Sequence, residues 1–431
     1  MVRRHSSALR TCRRPGKADQ FPSTQDRSVH GLRRPHRDHQ PDLTLFTVSL
    51  RISERRTPDL RLTHYQDRAD DTIPAMLSRR LFTVSSSAAL FAQLPNQRGP
   101  GRKIGEYDPA NIKLSHRMPI QSLSDDDLLF LQQLGLRYAR IEFGSDASFD
   151  FMQATQTRLR RFGMEIFSAV DYNYRELDVQ LGRGRRDEFI AKYCRFLTDC
   201  GRLKIPVANY DWHPANTYTT ATIPTPRGYK AREFSEPDFR AKVEKPAFDR
   251  EYSADDIWAT YTYFMKAVLP VAERAGVKLA LHPDDPPLAK MNGVAKLFIH
   301  ADGYARAEKI AAGSPAWGLT FCIGTWIEGG SRMGKDVFEM IADYGGRNKI
   351  LDVHFRNVSS PLPRFVETFP DDGYVDMYQV LKALRQVKFN GSIVPDHVPE
   401  FAGDTGMRRA GVAYCIASMR GLLRRANEEV G

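Results

Sequence analysis

The sequence is poor in cysteine, and its cysteines have none of the spacings typical of structural sites. Five are present in 431 residues, an odd number with no CxxC pair. Scattered thiols of this kind exclude a disulfide framework and a cysteine-rich zinc module. Cys194 and Cys200 lie in the run FIAKYCRFLTDC, which predicts a helix that buries them as small apolar groups.

Phosphate-binding glycine loops and long apolar runs are also missing. No GxGxxG or GxxxxGK[ST] occurs, which argues against a doubly wound nucleotide-binding sheet. The net charge is +11, but residues 1–75 contribute +6 of it and the rest of the chain has no basic run interleaved with aromatics. We therefore expect no nucleic-acid partner and no stable membrane span.

The N-terminal region predicts two segments outside the folded domain. Residues 1–75 are rich in Arg, Pro, His and Asp, a composition typical of disorder. Residues 76–93, MLSRRLFTVSSSAALFAQ, have the layout of a signal peptide with a twin-arginine-like SRRLF. Met76 would then be the true start, residues 1–75 would be upstream sequence translated by mistake, and the protein would be exported or periplasmic. The alternative is a short amphipathic segment in a cytoplasmic protein.

Eight β-rich runs alternate with stretches of helical spacing across residues 103–431. This pattern predicts a single (β/α)₈ barrel, the TIM-barrel member of the α/β class. The insertion at 214–252, after the fourth strand, predicts a lid or a wall on the substrate side. The runs are KLSHRM (113–118), RYARIEF (137–143), MEIFSAV (164–170), PVANYDWH (206–213), KLALHP (278–283), GLTFCIG (318–324), ILDVHFRNV (350–358) and GSIVPDH (391–397).

Four residues suited to metal binding lie in or at the ends of the last four predicted strands. They are His282, Cys322, His354 and Asp396. Parallel barrel strands all end at one mouth, so this set predicts a site for Mn²⁺, Fe²⁺, Co²⁺ or Zn²⁺. Each residue has a structural alternative: His282 as a satisfied core histidine, His354 as a barrel-layer residue, Cys322 as a small core residue, and Asp396 as an ion-pair partner of Arg356.

The same stretches resemble the mannonate dehydratase family, metal-dependent enzymes on a xylose-isomerase-like barrel. The motifs are LHPDDPP, GLTFCIGT, VHFRNV, ETF…DGYVDMYQVLKAL and IVPDH, and the similarity covers most of residues 113–425. It implies dehydration of a sugar acid, D-mannonate to 2-keto-3-deoxy-D-gluconate, with Mn²⁺ or Fe²⁺ bound by the four residues named above. It also implies that His397 is a catalytic acid or base.

Two features depart from the family pattern. The family's catalytic tyrosine, about fourteen residues after the PDH aspartate, is replaced here near Ala410 and Gly411, with Tyr414 further along. A histidine that commonly follows the ET motif is also missing from ETFPDDG. The sequence does not indicate what replaces the tyrosine.

Further residues near the predicted mouth are candidates for supporting roles. Arg356 and Asn357 could grip the substrate carboxylate and hydroxyls, or Arg356 could pair with an aspartate of the barrel. His213, after the fourth strand, is a candidate substrate contact. Asp284 and Asp285 could orient His282 from behind or cap its loop.

Two other functions remain open from sequence alone. One is a metal-dependent sugar isomerase or epimerase on the same barrel, and the other is an exported sugar-acid-binding protein without catalysis. A small-molecule sugar acid is the expected partner in each case. A homo-oligomer is compatible with the sequence, which carries no interface signal.

Overall fold

The computed structural model describes residues 104–214 and 218–431; the predicted tail at 1–75 and the signal-like segment at 76–93 lie outside them. The strands are β1 (Lys113–Pro119), β2 (Tyr138–Gly144), β3 (Glu165–Asp171), β4 (Val207–Tyr210), β5 (Ala221–Pro224), β6 (Lys230–Ser235), β7 (Lys278–Leu281), β8 (Lys290–Met291), β9 (Val294–Ala295), β10 (Trp317–Cys322), β11 (Ile350–Phe355), β12 (Asn357–Val358), β13 (Arg364–Thr368) and β14 (Ser392–Pro395). The helices are α1 (Asp125–Gln133), α2 (Phe149–Arg161), α3 (Leu177–Gln180), α4 (Arg186–Arg202), α5 (Glu236–Asp238), α6 (Ala254–Ala275), α7 (Ala301–Ile310), α8 (Ile323–Gly329), α9 (Val337–Met340), α10 (Met377–Gln386) and α11 (Arg409–Val430).

Eight of these strands close into a parallel barrel in the order β1-β14-β11-β10-β7-β4-β3-β2. All eight predicted runs are barrel strands, so the predicted (β/α)₈ fold is confirmed. The register pairs Cys322 of β10 with His354 of β11, and His354 with Val394 of β14. The candidate ligands on neighbouring strands therefore lie at the same level along the barrel axis, near its carboxyl end.

Two of the helices around the barrel, α1 and α4, lie where their sequences predict. Ser124 caps α1 in a reciprocal capping box with Asp127, as the run SDDD indicates. Cys194 and Cys200 both lie in α4, with Cys200 fully buried. Across the described residues, the helices lack the length of continuous apolar sequence that a bilayer crossing needs.

A small antiparallel sheet stands outside the barrel and is formed largely by the insertion. Its order is β12-β13-β6-β5, so the insertion strands β5 and β6 pair with β13, which follows the seventh barrel strand. Tyr218, Arg232 and Phe248 of the insertion line the cavity described below. The insertion therefore forms a wall of the cavity, one of the two predicted roles.

The tight contact between β10 and β11 gives a stability prediction. A Cβ on Gly318 would lie 2.4 Å from the Lys349 carbonyl oxygen and 2.8 Å from Leu351 Cδ1. We expect Gly318→Ala to lower the free energy of unfolding by about 1–3 kcal/mol, because the barrel backbone must move to admit the methyl group. Urea denaturation followed by circular dichroism measures the change.

Gly421→Ala is the matched control. Gly421 lies within α11 and a Cβ there would meet nothing within 4 Å. Alanine should stabilise this helix by about 0.5–1 kcal/mol. Equal effects of the two substitutions would contradict the close packing of β10 against β11.

Candidate active site

A large cavity of about 1540 Å³ opens at the carboxyl ends of the barrel strands. Its floor includes Asn209, His282, His354 and Asp396, and one side is formed by residues 403–409. Active sites of this barrel class lie at the same end, built from the strand ends and the loops that follow them.

Three of the predicted ligands meet at this floor, which His282 and His354 line and behind which Cys322 is buried. The ligand atoms of His282, Cys322 and His354 all lie within 4.8 Å of one another. Nε2 of His282 is 3.1 Å from Nδ1 of His354. Bond lengths to a transition metal are about 2.0–2.3 Å, so donors this close can share one ion with small adjustments.

Asp396 adds a fourth donor at the edge of this cluster. Its Oδ1 lies 3.8 Å from Nδ1 of His354, and its Oδ2 lies 4.0 Å from Sγ of Cys322. Oδ1 is buried and has no hydrogen-bond partner among the described residues, which is costly unless a cation satisfies it. The structure therefore brings all four predicted ligands together.

The protonation states of these donors suit a metal centre. Burial lowers the pKa of His282 to about 4 and that of His354 well below its ordinary value, so both rings are neutral at physiological pH. Burial also raises the pKa of Cys322 to about 12. A bound cation would favour the thiolate, because a metal ligand of this kind must lose its proton.

His397 reaches the cavity because β14 ends before it. Neighbouring residues in a strand point to opposite faces, but β14 ends at Pro395 and His397 adopts the left-handed conformation with φ of +46°. His397 and Asp396 therefore both line the cavity. Nδ1 of His397 lies 2.8 Å from Oε1 of Glu367 and 2.9 Å from Nη1 of Arg356, so these two groups hold Nδ1 and leave Nε2 as the ring nitrogen available for proton transfer.

Arg356 does not line the cavity; it lies buried beneath the ligands in an ion-pair network. Its guanidinium is surrounded by four carboxylates, which are Asp285 at 2.9 Å, Glu328 at 2.9 Å, Glu367 at 2.6 Å and Asp396 at 3.4 Å. The predicted contact between Arg356 and substrate is therefore wrong, and the structural alternative, an ion pair with Asp396, is confirmed.

The carboxyl groups around Arg356 differ in pKa. Burial alone would raise the pKa of Asp285, but the Arg356 charge outweighs it and holds that pKa below its ordinary value. Burial raises the pKa of Glu328 well above its ordinary value, although the Arg356 charge opposes this shift.

Asn357 is also structural, contrary to the prediction that it contacts substrate. It is fully buried, its Nδ2 donates to the carbonyls of Pro370 and Val375, and its Oδ1 accepts from the amide of Val358. These bonds occupy the side-chain amide. A Cβ on Gly373 would lie 2.1 Å from Cγ of Asn357, so the loop that contains Gly373 packs directly against this side chain.

His213 lines the cavity, as predicted, and is held by Asp284. Its Nδ1 lies 2.9 Å from Oδ1 of Asp284, whose Oδ2 accepts from the backbone amides at 297 and 298. Asp284 therefore caps its loop and orients His213. It does not orient His282, whose Nδ1 lies 2.7 Å from the Pro283 carbonyl oxygen. Asp285 is likewise engaged with Arg356.

The region where the family carries its tyrosine contains no equivalent phenol at the cavity. The amides of Ala410 and Gly411 donate to Asp404, and the hydroxyl of Tyr414 donates to Asp371 at 2.6 Å. None of these three residues is among those that line the cavity.

Two site residues were not found from the sequence. Glu367, which contacts His397, lies on β13 outside the barrel; it is the glutamate of the ETF motif, to which the sequence assigned no role. Arg140 lines the cavity from β2, two residues before Glu142. Two charged residues at that spacing share one face of a barrel strand, so strand periodicity could have revealed them.

The Arg356 network generates a second stability prediction. Arg356→Gln should lower the free energy of unfolding by about 3–5 kcal/mol, because the change leaves buried carboxylates without a counter-charge. The matched control is Arg420→Gln, which removes one partly exposed ion pair with Glu106 and one hydrogen bond to the Leu134 carbonyl and should cost about 1–2 kcal/mol. Equal losses of unfolding free energy in the two variants, measured by chemical denaturation, would show that the buried network stabilises the protein no more than the contacts of Arg420 do.

Comparison with known proteins identifies relatives over the same region. The family model described as D-mannonate dehydratase (UxuA) matches residues 147–430. A mannonate dehydratase of Streptococcus pneumoniae is 30% identical over 253 residues, covering 53% of this chain and 68% of that protein. Mannonate dehydratase 2 of Halalkalibacterium halodurans is 30% identical over 262 residues, covering 53% of this chain and 72% of the relative.

Solved structures agree with this relationship. The crystal structure of mannonate dehydratase from Streptococcus suis serotype 2 superposes with a TM-score of 0.68 and 25% identity, covering 74% of this chain and 96% of the other. L-ribulose 3-epimerase superposes with a TM-score of 0.50 and 13% identity over 74% of this chain and 96% of its own, a likeness of fold alone. Because the family model spans well over half of the chain, the protein belongs to the D-mannonate dehydratase family.

Proposed function

We propose that this protein dehydrates a sugar acid, most specifically D-mannonate, to 2-keto-3-deoxy-D-gluconate and water. The observation that carries the proposal is the placement of a carboxylate-held imidazole, His397, beside a compact cluster of metal donors in one cavity. Family membership and the names of the relatives support the same reaction. A pure binding protein would need no group arranged for proton transfer.

We further propose that His282, Cys322, His354 and Asp396 hold a divalent cation, Mn²⁺ or Fe²⁺. Two neutral imidazoles, a sulfur and a carboxylate form a set that suits such ions. When bound, the cation would neutralise the substrate carboxylate and stabilise negative charge that develops next to it. The buried Oδ1 of Asp396, which has no hydrogen-bond partner among the described residues and lies 3.7 Å from Nη1 of Arg117, fits this role.

The chain's own residues supply the proton transfers. Dehydration removes the proton on the carbon next to the carboxylate and expels the hydroxyl of the following carbon as water. His397 can take or give a proton at Nε2, while Glu367 fixes its ring through Nδ1. His213, held by Asp284, offers its other nitrogen to a substrate hydroxyl.

The first test of the function is an assay on the full chain supplied with Mn²⁺. With D-mannonate, we expect release of 2-keto-3-deoxy-D-gluconate, measured by a colorimetric keto-acid assay and confirmed by mass spectrometry. His397→Asn should lower the rate by at least about 10²-fold, because general acid–base catalysis contributes that much. Asn tolerates the left-handed backbone at this position, so the fold should persist.

The control for this assay is His300→Asn. His300 caps α7 at the surface with its ring nitrogen, and asparagine is a good residue at a helix N-cap. This variant should keep wild-type turnover. Formation of an isomerised sugar acid without loss of water would instead favour the isomerase alternative.

The metal proposal is tested by matched cysteine substitutions. Cys322→Ala should bind much less Mn²⁺ or Fe²⁺, because one of four donors is lost, whereas Cys415→Ala should bind as much as wild type. Cys415 is also buried, but it lies in α11 and is not part of the cluster of donors that Cys322 forms with His282 and His354. The metal content of each variant after dialysis, measured by inductively coupled plasma mass spectrometry, tests this difference. Equal metal content in the two variants would contradict the assigned ligand set.

A further inference from the structure

Arg140 is a buried arginine of the cavity whose role the ligand cluster does not explain. It lies on β2, and its side chain shares the inner face of that strand with Glu142. The residue is only 5% exposed, yet it is among those that line the cavity. An arginine in this position is desolvated and remains charged, so its donors need acceptors.

The nearest carboxylates do not satisfy these donors. Nη1 of Arg140 is 3.8 Å from Oε1 of Glu142, and Nε is 3.7 Å from Oδ2 of Asp352. Both separations exceed a hydrogen bond. Within the described residues, Nε and Nη1 are buried without a hydrogen-bond partner.

Both carboxylates are instead bound by other groups. Glu142 accepts from Nε of Arg117 at 2.6 Å and from the hydroxyl of Tyr172 at 3.1 Å. Asp352 accepts from Ser392 at 2.5 Å and from Nδ2 of Asn209 at 2.8 Å. The two acids therefore balance part of the Arg140 charge from a distance, but Nε and Nη1 of its guanidinium make no hydrogen bond to them.

We infer that Arg140 binds the carboxylate of the sugar acid, an inference that rests on the proposed function. Arg140 is among the residues that line the cavity that would receive the substrate, its Nε and Nη1 have no hydrogen-bond partner among the described residues, and a carboxylate matches the planar guanidinium better than a single hydroxyl does. A neutral sugar or polyol would leave these donors unpaired. Arg140 therefore selects acids over neutral sugars of the same shape.

A structural alternative is that Arg140 serves only as a distant counter-charge for Asp352. In that case its loss would alter stability and weaken the binding of charged and neutral ligands alike. A substrate-binding role would instead change the ratio of the two affinities. The experiment should therefore measure this ratio.

The test compares D-mannonate with D-mannonamide, which replaces the carboxylate by a neutral amide. Calorimetric titration is made on the full-length, metal-loaded His397→Asn protein, which binds without turnover, with and without Arg140→Gln. We expect Arg140→Gln to reduce the preference for mannonate over the amide by about 10- to 100-fold, the effect of a lost hydrogen bond to a charged group. Arg140→Lys should give a smaller reduction, because lysine keeps the charge but loses the fork geometry.

Arg385→Gln is the matched control. Arg385 is also 5% exposed and has a buried Nε without a partner among the described residues, but it lies in α10 and does not line the cavity. Its substitution should leave the preference for mannonate unchanged. An unchanged preference in Arg140→Gln, or an equal loss of affinity for both ligands, would overturn the inference.

The same series separates this inference from the proposed function. If mannonate binds to the His397→Asn protein but the wild type does not dehydrate it, the dehydratase activity alone is refuted. The ratio of the affinities for mannonate and mannonamide would still test the role of Arg140. A parent protein that binds neither ligand would overturn both.

Discussion

The charge of Arg356 is the interaction on which the rest of the site depends. One buried guanidinium joins carboxylates from the loop after β7, from α8, from β13 and from the end of β14. Attraction between charges is strong in an interior with a low dielectric constant, so these segments are fixed relative to one another. Gly324 makes this possible, because a Cβ there would lie 2.3 Å from Nε of Arg356. The candidate metal ligands and the His397 imidazole therefore rest on one shared support.

Much of the fold and the ligand set could be predicted from the sequence because both follow from local pattern. Strand-like runs alternate with helical spacing, and the carboxyl ends of parallel barrel strands converge by geometry. His282, Cys322, His354 and Asp396 lie in or at the ends of four such runs, so counting strands was enough to bring them together. His397 followed from a family resemblance, and the end of β14 at Pro395 explains how it reaches the cavity.

The supporting residues could not be predicted because their partners come from distant segments. Arg356 and Asn357 follow directly after a barrel strand, a position typical of substrate contacts, yet their partners lie in other segments that the sequence does not place nearby. Glu367 stands on β13, where it pairs with Val358 of β12, and it contacts His397 thirty residues further along the chain. Whether a polar side chain faces a ligand or a buried neighbour depends on such tertiary contacts, which no local period encodes.

The backbone at His397 has a consequence for how the family can change. A left-handed conformation disfavours most side chains, and asparagine, aspartate, histidine and glycine tolerate it best. A lineage under relaxed selection would therefore lose its imidazole most readily to one of those few residues, since others would also strain the turn. Descendants that keep the barrel but have abandoned this chemistry should be recognisable from the residue at this one position.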